Sequence, residues 1–213
     1  MSHLQLKQIT VGTWQENCYL LICRETRDAA LVDPGDDFER IARMVGKMRV
    51  TKILLTHTDV DHVGALDAAR EAWRAPVYVH PLELARPGNS ESPPRRIEHT
   101  RPLREGLVIR IGTESVRTFE VPGHAPGHVA FAFDNRSLVG DAIFPGGPGH
   151  THSPDALNQA LYHLQRVVFR WPDSTTLYPG HGKPTTVGAE RESFMRFLAR
   201  PRAADLHGDV SWA

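Results

Sequence analysis

Two imidazoles and two carboxylates lie close together in one short stretch, at His57, Asp59, Asp61 and His62. They follow the apolar residues 53–55, a run that is typical of a buried strand. Side chains of these types are common ligands of divalent cations, and a cation would also neutralise carboxylates that otherwise repel one another. The alternative for this stretch is a solvated polar loop, with Asp59 or Asp61 capping the next helix. Further ligands elsewhere in the chain would decide between the two.

Three more candidate ligands share the setting of the first group. His124, Asp141 and His181 each stand beside glycine, after a segment that predicts a strand. Glycine lets the backbone turn sharply and approach a shared centre closely. Four such segments in order are hard to obtain by chance, so the sequence favours a metal centre, with more than one ion, over a set of unrelated loops.

Strand-like and helix-like segments alternate along the chain, which is typical of an α/β protein. Proline directly after Ser153 is typical of the first turn of a helix. We predict strands at 4–11, 17–23, 29–32, 50–55, 76–79, 107–111, 115–121, 128–133, 137–139 and 175–178, and helices at 37–48, 64–73, 153–168 and 189–199. Since no linker separates the two halves, we expect one domain over residues 1–213.

Residues 81–105 interrupt this alternation with many prolines and arginines. A loop of this length inside a domain is often a lid or a binding loop, and a solvated excursion is the alternative. If the loop is functional, Arg95 and Arg96 are candidates to bind an anionic group of the substrate.

Composition excludes several classes of protein. The chain has 213 residues, 40% of them hydrophobic, and a formal net charge of zero with twelve histidines. No basic excess indicates a nucleic acid or an acidic membrane as partner. Cys18 and Cys23 are separated by an odd number of positions, so a strand would place them on opposite faces and leave them unpaired. The beginning of the chain has no apolar targeting segment, and we expect a soluble, cytoplasmic protein.

The order His-x-Asp-x-Asp-His, Gly-His, Gly-Asp, Gly-His resembles that of the metallo-β-lactamase superfamily. The resemblance runs from the turn at residues 33–35 to the last Gly-His. The run Pro-Gly-His-Ala-Pro-Gly-His at 122–128 and the ending Tyr-Pro-Gly-His-Gly at 178–182 resemble glyoxalase II and its short relatives. This resemblance implies a four-layer αββα sandwich, with a dinuclear metal site along one edge of its two sheets.

The same resemblance implies a division of the ligands between two metal ions. Site one would comprise His57, Asp59 and His124, and site two would comprise Asp61, His62 and His181, with Asp141 bridging both. In that family a hydroxide held between the metals attacks a carbonyl carbon, and the residue matching Asp61 helps to orient it. Two divalent ions lower the pKa of bound water and polarise the carbonyl, so no serine or cysteine nucleophile is required.

Asp59 departs from the commonest pattern of the family, which has histidine at this position. Three carboxylates facing two divalent ions would leave one net positive charge, where two carboxylates would leave two. An oxygen ligand also shifts the metal preference from zinc towards iron or manganese. Because aspartate is shorter than histidine, we expect site one to be distorted or weakly filled.

The leading hypothesis is a metallo-hydrolase that cleaves a thioester or a similar acyl bond of a small molecule. One alternative is an iron-dependent persulfide dioxygenase. Enzymes of this kind in the same superfamily use one iron ion, bound by the residues equivalent to His57, His124 and Asp141. A lactonase of the same superfamily is a second alternative, and a metal-stabilised module without activity is a third.

Several other residues have two interpretations each. His128 either holds a ligand in place or packs as a structural histidine. Asp33 either orients the site from behind or forms a turn with Pro34. His80, His150 and His152 fall in predicted loops, where we expect solvated side chains.

Overall fold

The computed structural model describes residues 4–84, 86, 97 and 100–212, and its strands form two six-stranded sheets. Sheet one has the order β1-β2-β3-β4-β5-β6, with bounds Leu4–Val11, Glu16–Cys23, Asp28–Val32, Arg49–Leu54, Val77–Val79 and Thr100–Pro102. The next strands along the chain are β7 to β10, at Val108–Ile111, Glu114–Glu120, Val129–Phe133 and Arg136–Gly140. A small hairpin (β11, Ile143–Phe144; β12, Gly147–Pro148) precedes β13 (Thr176–Pro179) and β14 (Thr185–Thr186). Sheet two has the order β14-β13-β10-β9-β8-β7.

Helices cover the outer face of each sheet. They are α1 (Phe38–Val45), α2 (Val60–Val63), α3 (Leu66–Trp73), α4 (Pro81–Leu84), α5 (Pro154–Arg166) and α6 (Val187–Ala199), with a 3₁₀ turn at Val168–Arg170. Ser153 begins α5 as predicted, because its Oγ accepts a hydrogen bond from the backbone N–H of Ala156 at 3.1 Å.

Strand β2 shows how the layers arise from the sequence. All eight of its residues are buried, and alternate side chains enter different cores. Cys18, Leu20 and Ile22 pack under α1 and α3, whereas Tyr19, Leu21 and Cys23 pack between the two sheets. A third core lies between sheet two and the helices α5 and α6. These three apolar cores separate four layers, which confirms the predicted αββα sandwich.

The prediction that the two cysteines are unpaired is confirmed. Cys18 and Cys23 are both free and buried, and they belong to different cores. Within the described ranges, no helix combines the length and the apolar character needed to cross a bilayer.

The prediction of an irregular excursion over 81–105 is wrong at both ends. Helix α4 begins at Pro81, and β6 pairs in parallel with β5 and completes sheet one. The sheet continues because Leu103 is buried and its backbone N–H donates to the carbonyl of Val79 at 2.9 Å. Arg95 and Arg96 lie outside the described residues.

The connectivity brings the polar segments to one edge. Strands β3 and β4 run parallel, so their carboxyl ends lie side by side. Strands β10 and β13 are likewise parallel, and β8 points the same way because β9 lies antiparallel to both β8 and β10. The two sheets meet at this edge, where the backbone N–H of Val129 donates to the carbonyl of Thr56 at 2.9 Å.

Candidate metal centre

All seven predicted ligands lie together at this edge. In one group of three, His57, His124 and Asp141, the ligand atoms all lie within 4.8 Å of one another. The same holds for a second group, Asp61, His62 and His181. Asp141 joins the two groups, because Oδ1 lies 3.3 Å from Nε2 of His62 and Oδ2 lies 3.9 Å from Nε2 of His124.

The four histidines are oriented by hydrogen bonds on their far side. Nδ1 of His124 donates to the carbonyl of His150 at 2.8 Å, and Nδ1 of His181 donates to the carbonyl of Trp14 at 3.0 Å. A proton on Nδ1 places the lone pair on Nε2, where it could bind a cation. Each Nε2 faces a carboxylate oxygen, that of His124 at 3.1 Å from Oδ2 of Asp59 and that of His181 at 3.0 Å from Oδ2 of Asp61.

Asp33 fixes the other two imidazoles. Oδ2 accepts from Nδ1 of His62 at 3.2 Å and from the hydroxyl of Thr56 at 2.7 Å. That hydroxyl in turn accepts from Nδ1 of His57 at 3.0 Å. Oδ1 of Asp33 accepts the backbone N–H of Thr56 at 2.8 Å. Of its two interpretations, the structure supports the one in which Asp33 orients the centre from behind.

Three candidate ligand atoms lack hydrogen-bond partners among the described residues, which tests whether a metal cation fits at this position. Nε2 of His57, Nε2 of His62 and Oδ1 of Asp141 are buried, and none makes a hydrogen bond within the described part of the chain. Buried polar atoms without partners are costly, and here all three belong to ligand types that suit divalent metals. The residues present therefore fit a metal centre.

The pKa shifts show how strongly these groups interact. Burial lowers the pKa of His62, but the carboxylates of Asp141 and Asp33 outweigh that effect and raise it well above its usual value. Burial would raise the pKa of Asp141, yet the charges of the surrounding histidines hold it below its usual range. Burial and the neighbouring imidazole of His62 hold the pKa of His57 well below normal. A cation would take over the role of these shared protons, so binding should release protons.

Close backbone approach explains two of the glycines. Gly140 has a φ of +46°, a left-handed conformation that glycine adopts without strain, and it turns the chain into Asp141. At Gly180, a Cβ would collide with Oδ1 of Asp141 and with the ring of His62. Any larger residue at position 180 would therefore displace atoms of the centre.

His128 contacts a ligand segment directly. Its Nε2 accepts the backbone N–H of Asp141 at 3.0 Å, and its ring stacks on that of His57 with centroids 4.8 Å apart. This geometry supports the interpretation in which His128 holds a ligand in place. Burial and the nearby His124 lower the pKa of His128 to about 3, so the ring stays neutral.

A model of the metallo-β-lactamase superfamily matches residues 11–201. The chain belongs to the metallo-β-lactamase superfamily. This confirms the resemblance drawn from the spacing of the ligands.

Individual members agree with this placement. The probable metallo-hydrolase YqgX of Bacillus subtilis (strain 168) is 32% identical over 203 residues, with 89% of this chain and 95% of YqgX covered. The hydroxyacylglutathione hydrolase GloC of Haemophilus influenzae is 27% identical over 210 residues, with 89% of this chain and 96% of GloC covered. The structure of TTHA1623 in a di-iron-bound form superposes with a TM-score of 0.72 at 34% identity, with 87% of this chain and 96% of TTHA1623 covered. Proteins of this superfamily bind divalent metals, and metallo-hydrolases are among its members.

Some residues around the candidate metal centre could not be recognised as functional from the sequence. Asn17 is buried, and its side-chain amide donates to the carbonyls of Pro179 and Gly182, on either side of His181. Glu83 is also buried, and it joins the segments that carry Asp59 and His124. An isolated asparagine in a strand and a glutamate in a proline-rich loop reveal neither role without the fold.

The expectation of a solvated side chain is wrong for His80, whereas His150 and His152 are exposed as expected. His80 is mostly buried, and its Nε2 bonds to Glu120 at 3.3 Å. His150 bonds through Nδ1 to Asp209 at 2.9 Å, while its carbonyl holds His124. Glu120 is distant from His80 in sequence, so local sequence cannot indicate that it covers this ring.

Glu16 forms a further acidic contact behind His62. Its Oε1 lies 3.8 Å from Nδ1 of His62, and neither carboxylate oxygen makes a hydrogen bond within the described residues. Burial raises the pKa of Glu16 well above its usual value. Glu16, Asp33 and His62 together form a further group whose ligand atoms lie within 4.8 Å of one another.

Proposed function

We propose that this protein is a metal-dependent hydrolase that cleaves a thioester or a similar activated acyl bond. The observation that carries the proposal is the convergence of four oriented imidazoles and three carboxylates at one edge of the two sheets. When bound there, two divalent ions would lower the pKa of water and polarise the acyl carbonyl.

Each candidate ligand has a defined place in this proposal. His57, Asp59 and His124 would hold one ion and Asp61, His62 and His181 the other, with Asp141 as a ligand shared by the two groups. Their side chains range from fully buried to about a quarter exposed, and His181 is the most exposed at 27%. Substrate therefore approaches from the side of His181, where the centre is open.

The contacts of Asp61 support a role in proton transfer. Its Oδ2 lies 3.0 Å from Nε2 of His181 and 3.9 Å from Nε2 of His62. The side chain is 12% exposed, so it reaches both the centre and the solvent. We assign Asp61 the role of orienting the attacking water and accepting its proton.

A cavity beside Asp61 offers room for the acyl group. It has a volume of about 280 Å³, and its lining includes Val11, Trp14 and Val60. Trp14 and Val60 are exposed, which gives the cavity apolar surface next to a charged centre. This combination suits a small acyl group on a polar carrier. GloC acts as a hydroxyacylglutathione hydrolase, and its similarity to this chain favours a glutathione thioester as the first substrate to assay.

A second candidate is oxidation of a persulfide at one iron ion. The group His57, His124 and Asp141 supplies two imidazoles and one carboxylate, the ligand set of many non-haem iron oxygenases. The di-iron-bound form of TTHA1623 shows that a relative binds iron.

The test uses protein loaded separately with zinc, manganese or iron. S-lactoylglutathione is assayed by thiol release, a homoserine lactone by ring opening, and glutathione persulfide by oxygen uptake. We expect thiol release, and we expect Asp61→Asn to reduce it at least about a hundredfold. Asp67→Asn, the same change at an exposed position of α3, serves as the control and should leave the rate unchanged.

The other results each have a clear meaning. Oxygen uptake without thiol release would replace hydrolysis by the persulfide reaction. Ring opening alone would identify a lactonase. Turnover of none of the three substrates by any metal form, with metal bound, would contradict the proposed activity and favour a metal-stabilised module.

A further inference from the structure

The carboxylate of Asp59 contacts both the candidate metal centre and the guanidinium of Arg86. Oδ2 lies 3.1 Å from Nε2 of His124 and 3.7 Å from Nε2 of His57. Oδ1 accepts a hydrogen bond from Nη1 of Arg86 at 2.5 Å. The side chains of Asp59 and Arg86 are 18% and 13% exposed, so water screens their attraction only partly.

A buried glutamate holds Arg86 in this position. Oε2 of Glu83 lies 3.5 Å from Nη1 of Arg86 and accepts from the backbone N–H and the hydroxyl of Thr58, at 3.0 and 2.9 Å. Oε1 of Glu83 accepts the backbone N–H of Gly127 at 2.8 Å. The guanidinium is thus supported by groups that also shape both ligand segments of site one.

The charges at Asp59 agree with this arrangement. Burial alone would raise the pKa of Asp59, but its hydrogen bond to His124 and the charges of His124 and Arg86 lower it to about 2. The guanidinium of Arg86 beside Oδ1 favours the ionised form of the Asp59 carboxylate. One of its oxygens is committed to Arg86, which leaves the other to face the centre.

We propose that Asp59 and Arg86 act as one neutral ligand unit at site one, with Arg86 as the positioning residue. The pair carries no net charge, as a neutral imidazole would at that place. Arg86 thereby cancels the extra carboxylate, and the centre regains the charge that it would have with histidine at position 59. This inference rests on the metal centre proposed above.

The proposal predicts how changes at the two positions combine. Asp59→His alone leaves Arg86 without its 2.5 Å partner at the centre and with only the 3.5 Å contact to Glu83, so the guanidinium would repel a divalent ion and site one should bind metal about tenfold more weakly or worse. Arg86→Gln alone removes a positive charge, so site one should bind metal about tenfold more tightly. The double variant Asp59→His/Arg86→Gln is neutral again and should bind within about threefold of the unchanged protein.

The experiment measures zinc binding to chelator-stripped protein by competition with a chromophoric chelator. It compares the unchanged protein, both single variants, the double variant and Arg86→Lys, which keeps the charge and should bind like the unchanged protein. Arg40→Gln removes an exposed ion pair to Asp37 and is the matched control, with no expected effect. Thermal unfolding of each stripped variant verifies that it is folded.

The outcomes separate this inference from the function on which it rests. A double variant that binds more weakly than either single variant would show that Arg86 only supports the loop, and would overturn the proposal. Weaker binding by Arg86→Gln would also overturn it, because loss of a cation should favour zinc. If the unchanged protein binds no zinc or iron, the metal centre itself fails.

Discussion

Replacing Glu83 with glutamine should lower both the stability of the fold and the zinc affinity of the metal centre. Each carboxylate oxygen of Glu83 accepts at least one backbone N–H, from Gly127 at Oε1 and from Thr58 at Oε2. Glutamine has one carbonyl oxygen, and its amide nitrogen can only donate. One of the two backbone N–H groups would therefore face another donor inside the protein, because position 83 is only 4% exposed.

The size of the effect follows from that lost acceptor. A buried donor without a partner costs about 1–3 kcal/mol, and the lost hydrogen bonds here are charge-assisted. We expect Glu83→Gln to lower the free energy of unfolding by about 2–3 kcal/mol. Since Thr58 precedes Asp59 and Gly127 precedes His128, zinc affinity should also fall by about tenfold or more.

Urea unfolding of chelator-stripped protein measures the first effect, and chelator competition measures the second. Glu190→Gln is the matched control. Glu190 is also buried and accepts from Gly146, Thr185 and Trp212, none of which is a candidate ligand. This variant should lose similar stability and keep its zinc affinity. A Glu83→Gln protein within about 0.5 kcal/mol of the unchanged one, with equal zinc affinity, would refute the reasoning.

Three further predictions concern other parts of the centre. Asn17→Ala removes donors to the carbonyls of Pro179 and Gly182, so it should lower the free energy of unfolding by about 1–3 kcal/mol in urea; an unchanged value would contradict this role. His128 has a pKa of about 3 in the folded protein and an ordinary value of 6.5. Below pH 6.5 the imidazole is therefore protonated in the unfolded chain but not in the folded one, which lowers the free energy of unfolding. Stripped protein should accordingly lose about 1 kcal/mol more than His128→Gln between pH 6.5 and 5.5, and equal losses would contradict a neutral buried ring. Free zinc at about a hundred times its dissociation constant should stabilise the protein by about 2.7 kcal/mol per occupied site, and Asp141→Asn should remove most of that gain.

The sequence predicted the layers because the apolar pattern has a clear period. In β2, alternate residues point to opposite faces and enter separate cores, so the strand and both of its faces could be read directly. The candidate ligands were found for a related reason, since each is a chemically distinctive residue at the end of such a strand.

The supporting residues could not be found in this way, because their roles depend on contacts between distant segments. The carbonyls of Trp14 and His150 orient two histidines, and a backbone carbonyl has no signature in the residue type. Glu83 and Arg86 lie in a stretch whose prolines and arginines predicted a long loop, either a lid or binding loop or a solvated excursion. Only the packing of α4 against the centre gives them partners.

The expectation about Asp59 changes once its partner is known. From sequence, a carboxylate in place of histidine predicted a less positive and weakly filled site one. The ion pair with Arg86 supplies a compensating charge, so weak filling no longer follows from charge alone. The metal-binding comparison of the Asp59 and Arg86 variants tests which description holds.

The most direct test of the account is an anomalous-difference map from crystals of zinc-loaded protein, collected at the zinc absorption edge. The account predicts one peak bounded by the ligands of site one and another bounded by those of site two, with Asp141 contacting both. The absence of a peak at this edge of the sheets, or imidazoles of His124 and His181 turned away from His57, would contradict it.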